Sequence, residues 1–136
     1  MRTLPILALL IAMTSHALGE ELRVSVTGGE ESEGQLFVAL FDSESHFPDG
    51  DSLKSRREPW RGEPVQVRFA NTPAGTFAIA AFVDTDGNES LSKNLFGIPT
   101  EPYGFSGKAG FGTPSYSDVS FDKGAEDASI VIRLDQ

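Results

Sequence analysis

The feature that most restricts what this chain can fold into is a pair of runs, "QLFVALF" (Gln35 to Phe41) and "TFAIAAFV" (Thr76 to Val83), in which nearly every side chain is apolar. Both are short and rich in aromatic and β-branched residues, so they read as strands. A strand shows alternate side chains to opposite faces, and apolar residues on both faces require cover on both sides. The two runs are therefore expected as central strands. Three other segments alternate instead. "LRVSVT" sets Leu22, Val24 and Val26 against Arg23 and Ser25, "PVQVRF" sets Val65, Val67 and Phe69 against Gln66 and Arg68, and "SIVIRL" offers Ile130, Ile132 and Leu134 as a core face. Each is a half-buried strand by its period of two. "DVSF", Asp118 to Phe121, is at most a further short element.

Punctuation agrees with this reading. "TGGEESEG" (Thr27 to Gly34) and "TPAG" (Thr72 to Gly75) carry the residues that close turns. Short strands without crossover helices predict an all-β fold, an antiparallel two-layer sandwich of about seven strands, with residues 20–136 as one domain. Two long segments, Asp42 to Glu63 and Asp84 to Ser117, are expected as irregular connections, and loops of that length in a small domain are usually functional or else disordered.

The first 19 residues stand apart. Arg2 precedes the apolar run Ile6 to Met13, and Ala17 and Gly19 are small, the plan of a secretory signal peptide cleaved before Glu20. The run is short of the roughly 20 residues that span a bilayer, so no membrane span is expected and the localisation is periplasmic or secreted. There is no cysteine, which removes disulfides, thiol catalysis and zinc–thiolate sites together. A formal charge of −9 disfavours nucleic acid and anionic membranes as partners and favours divalent cations.

"AFVDTDGNES" runs a strand into Asp84, Asp86, Asn88 and Ser90, which fall at positions one, three, five and seven of a calcium loop. Calcium takes six to eight oxygens at about 2.3–2.6 Å, and this spacing supplies carboxylate, amide and carbonyl donors. Glu89 stands at the sixth position, where glycine ordinarily relieves a left-handed turn, and Leu95 at the twelfth, where a bidentate Glu belongs. The same residues also serve a bare turn, so both readings stand.

Tyr103, Phe105, Phe111 and Tyr116 lie among glycines and prolines and are candidate ligand-binding residues for a cell-envelope glycan or peptide; the competing role is a satellite core under a long loop. "KSRREPWRG" gathers four cations around Trp60, either a site for an anionic group or a solvated loop with a half-buried indole. Only His46 remains beyond residue 19, without a Gly-x-Ser-x-Gly elbow, and no enzymatic activity is expected.

Three segments, "ALFDSESHFP", "PAGTFAIAAFVDTDGNESLSKNLFGIPTEPYGFS" and "GFGTPSYSDVSF", resemble in order and spacing the secreted bacterial family called domain of unknown function 2141. The resemblance implies a transthyretin-like, or prealbumin-like, β-sandwich. In that family the acidic loop commonly reads Asp-x-Asn-Gly-Asn-Gly-Lys-Leu-Asp, whereas Glu89 and Ser92 stand here at the second Gly and the last Asp, and Pro102 replaces a Gly. The expectation is a secreted, non-enzymatic sandwich whose acidic loop holds calcium as a structural clip, or alternatively a carbohydrate- or peptide-binding module working through the aromatic segment.

Overall fold

Alternation along the chain becomes layering in space. The computed structural model describes residues 20–96, 98–107 and 113–135; the expected signal peptide, Met1 to Gly19, and Phe111 lie outside the described residues. The elements are β1 (Leu22–Gly28), β2 (Gly34–Phe41), β3 (Lys54–Trp60), β4 (Val65–Phe69), β5 (Gly75–Asp84), β6 (Tyr103–Phe105), the single-turn helix α1 (Tyr116–Val119), β7 (Phe121–Lys123) and β8 (Ala128–Leu134). One sheet has the order β4-β1-β8. The other runs β3-β2-β5-β6, and β7 pairs with the first residues of β5.

The core lies between the sheets. Leu22, Val24 and Val26 of β1 and Ile132 and Leu134 of β8 face Leu36, Val38 and Leu40 of β2 and Ile79 and Val83 of β5, all buried. These are the inward positions that the period of two selects. β2 and β5 occupy the middle of the larger sheet, as their two-sided apolar character requires.

Four expectations need correction. The sandwich is not wholly antiparallel: β1 pairs β4 antiparallel but β8 parallel, from Leu22 against Ala128 to Gly28 against Leu134. A parallel neighbour needs a long crossover, and here almost the whole chain separates the two strands. The segment Asp42 to Glu63 is not irregular throughout, because Lys54 to Trp60 forms β3 along β2. Its charges suit an edge strand that must not recruit another chain. Trp60 is only 1% exposed, its indole N–H donating to the Gly29 carbonyl at 3.1 Å, so the segment is not a solvated loop. Within Asp84 to Ser117, Tyr103 to Phe105 makes β6, and "DVSF" straddles the end of α1 and the start of β7. Ser115 caps α1 and Asp118 returns the favour to the Ser115 amide, a local capping box that outweighs strand propensity over four residues.

The two sheets meet along one edge. Tyr103 and Asp135 exchange backbone hydrogen bonds of 3.0 and 2.7 Å, joining β6 to the chain just past β8. Gly104 permits this approach, since a Cβ there would stand 2.6 Å from the Arg133 carbonyl oxygen and 2.9 Å from Ile132. At the opposite edge, Lys54 and Arg56 donate across to the Ala70 and Arg68 carbonyls, tying β3 to the end of β4.

Gly104→Ala is expected to cost about 1–3 kcal/mol by overpacking the seam, while Gly124→Ala, with nothing within 4 Å, is expected to be near neutral. Urea denaturation of both variants checks this; equal midpoints would mean that the seam tolerates a Cβ.

Candidate functional site

The site is built on the outer face of the larger sheet. Because Leu36, Val38 and Leu40 point inward, Phe37, Ala39 and Phe41 of β2 point out, and Ala78, Ala80 and Phe82 of β5 do the same. Register then arranges them in rows. Arg57 of β3, Phe37, Phe82 and Tyr103 of β6 are successive cross-strand partners, and the next row holds Ala39, Ala80 and Phe105. In the first row the Arg57 guanidinium lies 4.5 Å from the Phe37 ring centroid, and Phe37 stacks on Phe82 at 4.9 Å with planes 6° apart. In the second, two methyl groups leave the sheet low.

A second aromatic group closes the far side. Phe47, from the connection after β2, packs edge-on against Phe41 at 5.3 Å, Phe105 at 5.8 Å and Tyr116 at 6.0 Å. The alanine row is thus a floor between aromatic walls. Above it the chain from Leu91 to Pro99 adds Leu91, Phe96 and Ile98, and the space enclosed is a cavity of about 760 Å³. Asp49, Asp135, Lys93 and Thr113 are the polar side chains in its lining.

That overlying loop has one antiparallel bridge of its own, Lys93 against Pro99, with the Asn94 amide donating to the Ile98 carbonyl at 2.9 Å and the Thr100 amide to the Ser92 carbonyl at 2.8 Å, and carboxylates tie it down. Glu101, 3% exposed, accepts from the Thr85 amide at 2.5 Å and hydroxyl at 3.1 Å through one oxygen, and from the Ser92 amide at 2.7 Å through the other. Burial pushes the Glu101 carboxyl up, but the amides and hydroxyls of Ser92 and Thr85 favour its charged form more strongly, and the balance lies below the ordinary carboxylate value. Asp84, 4% exposed, accepts from the Gly87 and Glu89 amides, both at 2.9 Å. Asp86 is held below its ordinary value by the Ser92 hydroxyl and by the Asn88 amide. At the tip, the Asn94 side-chain oxygen accepts from the Phe96 and Ile98 amides and leaves Leu95 and Phe96 almost wholly in water.

Carboxylate oxygens of Asp84, Asp86 and Glu101 lie within 4.8 Å of one another, a group that could hold a metal ion. Of the four ligands read from sequence, Asp84 and Asp86 belong to it. The Asn88 oxygen instead accepts from the Ser90 amide at 3.1 Å, and Ser90 is exposed. Glu101 was not among the expected ligands, being 15 residues beyond Asp86 and brought back by the start of β6. Its one signal is a lone acid beside Pro102 just ahead of an aromatic strand. Glu89 adopts φ 61°, the left-handed conformation in which a side chain costs about 1–2 kcal/mol. An ion pair of 2.9 Å with Arg57 and the Asp84 bond hold it there.

Of the aromatic candidates, Tyr103 and Phe105 line the cavity. Tyr116 stands behind the wall: its hydroxyl donates to the Thr76 carbonyl at 2.9 Å, and burial, then Asp42 and Asp122, push its pKa up. Phe111 lies outside the described residues. Sequence reasoning missed Phe37, Ala39, Ala80 and Phe82, although the Phe–x–Ala and Ala–x–Phe spacing of the two apolar runs was the available signal.

Because the folded Glu101 pKa is lowered, its contribution to stability is present above the ordinary carboxylate value and is lost as pH falls through the folded one. Glu101→Gln is expected to cost about 2 kcal/mol at neutral pH and progressively less in acid. Denaturant melts of both proteins across the acid range check the sign; a wild-type advantage independent of pH would contradict it.

No curated protein and no solved structure matches the chain. The model of one bacterial family, described as "Uncharacterized protein conserved in bacteria (DUF2141)", matches residues 24–131, from Val24 in β1 to Val131 in β8, and takes in the acidic loop and the aromatic wall. The chain belongs to that family.

Proposed function

We propose that this protein is a secreted or periplasmic, non-enzymatic binding module of transthyretin-like architecture that receives apolar side chains of a peptide on the outer face of its larger sheet. The observation that carries this reading is the alanine floor set between aromatic walls, which offers apolar surface in a concave shape while leaving the core intact. A peptide fits better than a glycan. Sugar rings stack on free aromatic faces, but Phe37 has Arg57 on one face and Phe82 on the other. His46, the one histidine beyond residue 19, is exposed and stands outside the lining. Burying one Phe or Leu side chain is worth about 1.5–3 kcal/mol.

Peptide and glycan arrays test the reading. Binding to peptides with paired apolar residues is expected, and Ala80→Leu, which fills the floor, is expected to weaken it about tenfold or more while near-ultraviolet circular dichroism stays native. Capture of glycans alone, or indifference to Ala80→Leu, would sink it.

A second reading concerns the loop. The closeness of Asp84, Asp86 and Glu101 supports calcium as a structural clip at the base of the cavity wall. Extracellular sites of this kind bind at about 10⁻⁴–10⁻³ M, so a tenfold excess of calcium is expected to add about 1.4 kcal/mol. Titration calorimetry and thermal melting with and without chelator measure it; no heat and an unchanged melting temperature would remove the ion from the account.

A further inference from the structure

The cavity lies in an acidic setting that its apolar walls do not explain. Two connections frame it. The one from Asp42 to Leu53 contains Asp42, Glu44, Asp49 and Asp51 and no lysine or arginine. The other, Thr85 to Pro102, contains Asp86, Glu89 and Glu101 against Lys93 alone. Three of these acids are already engaged, Glu89 with Arg57, Glu101 with loop amides and Asp86 with Ser92. Asp49 is not. It lines the cavity, is exposed, and has no ion-pair partner among the described residues, and the same is true of Asp135 on the seam between the sheets. The lining thus carries two carboxylates, Asp49 and Asp135, against one ammonium, Lys93; a concave site with net negative charge concentrates cations, and the chain's formal charge of −9 adds to the field.

The apolar surface also continues past the mouth. Leu95 is fully exposed, and Phe96 and Ile98, which border the cavity, are still 86% and 53% exposed, on a tip fixed by Asn94. An occupant sized to the cavity alone would leave this prong in water. A chain that seats one side chain on the Ala39 and Ala80 floor and lays the next against Phe96 covers both. Self-association through the prong is opposed by charge, since a second copy brings the same acidic rim.

We propose that the occupant is a cationic peptide segment, with an apolar or aromatic side chain on the alanine floor and flanking lysine or arginine at Asp49 and Asp135. The proposal rests on the peptide-binding reading above and adds the sign of the partner's charge. Apolar burial supplies the affinity. The two carboxylates select among apolar peptides and speed their arrival, an effect that salt removes.

Three fluorescently tagged peptides, acetyl-Lys-Phe-Leu-Lys-amide and its counterparts with glutamine or glutamate at both ends, separate the two claims by anisotropy titration. The lysine peptide is expected to bind tightest, about tenfold above the glutamate peptide at low salt, with the gap closing at about 0.3 M salt. Asp49→Asn and Asp135→Asn are each expected to weaken the lysine peptide roughly threefold and leave the glutamine peptide unchanged. Equal binding of all three would overturn the charge preference while leaving the cavity as a peptide site. Tighter binding of the glutamate peptide would overturn it outright. Binding of none would end both claims.

Discussion

The structure depends on a constraint set by β2 and β5: neither strand has a polar face to give to water. An ordinary half-buried sheet needs one layer of cover, which the β4-β1-β8 sheet supplies here through Val24, Phe69 and Ile132. The remaining apolar row, Phe37, Phe41, Ala78 and Phe82, would be left in solvent without a second cover, and the helix α1, a single turn that contributes Tyr116, is too short to cover it alone. Connections must do it. Phe47, Tyr116, Leu91, Phe96 and Ile98 fold back over the sheet, so the long loops are a structural requirement before they are anything else. Burying Phe41 and Ala78 under Phe47 and Tyr116 fills one end of the outer face completely. At the other end the alanine pair Ala39 and Ala80 does not fill its share of the space, and the cavity is what remains.

Loops used as cover must keep shape with little ladder of their own, here the one bridge of Lys93 to Pro99, which explains how an acidic chain uses its carboxylates. A carboxylate accepts several hydrogen bonds at once, and each bond from an amide to a charged acceptor is worth more than a neutral one. Glu101 ties Thr85 to Ser92, and Asp84 closes the turn at Gly87 and Glu89. Placing two such groups near Asp86 accumulates like charge, a cost that loop amides offset and that a cation would offset further. Strain enters at Glu89, where the turn sets a positive φ that glycine would adopt without cost and a side chain does not.

How much of this was legible follows from how local each cause is. The inward faces of β1, β4 and β8 were readable because period two is written in consecutive residues, and the central place of β2 and β5 was readable from their apolar character on both faces. β3 was not, because Lys54 to Pro59 presents charge on both parities and becomes a strand only by lying along the edge of β2. β6 is three residues held by β5 on one side and Asp135 on the other, with no propensity signal of that length. The parallel pairing of β1 with β8 joins the ends of the domain and has no local trace. The site divides the same way. Asp84 and Asp86 are neighbours in sequence and were found; Glu101 reaches them through a fold-back and was not. Tyr103 and Phe105 stand out by composition, whereas nothing in the two wholly apolar runs says which face Phe37 and Phe82 take.

The same loop is therefore both wall and latch, and this couples its two ends. Leu91, Lys93 and Pro99 border the cavity, while Ser92 and Glu101, immediately beside them, carry the hydrogen bonds that pin the loop to Thr85. Ordering a loop costs conformational entropy of about 1–2 kcal/mol per residue, and that cost is met jointly by the pins and by whatever the wall buries. The Glu101 bonds to Thr85 and Ser92 thus fix the backbone from which Leu91 and Lys93 reach the cavity, so the shape of the wall is set by acids that lie outside the lining.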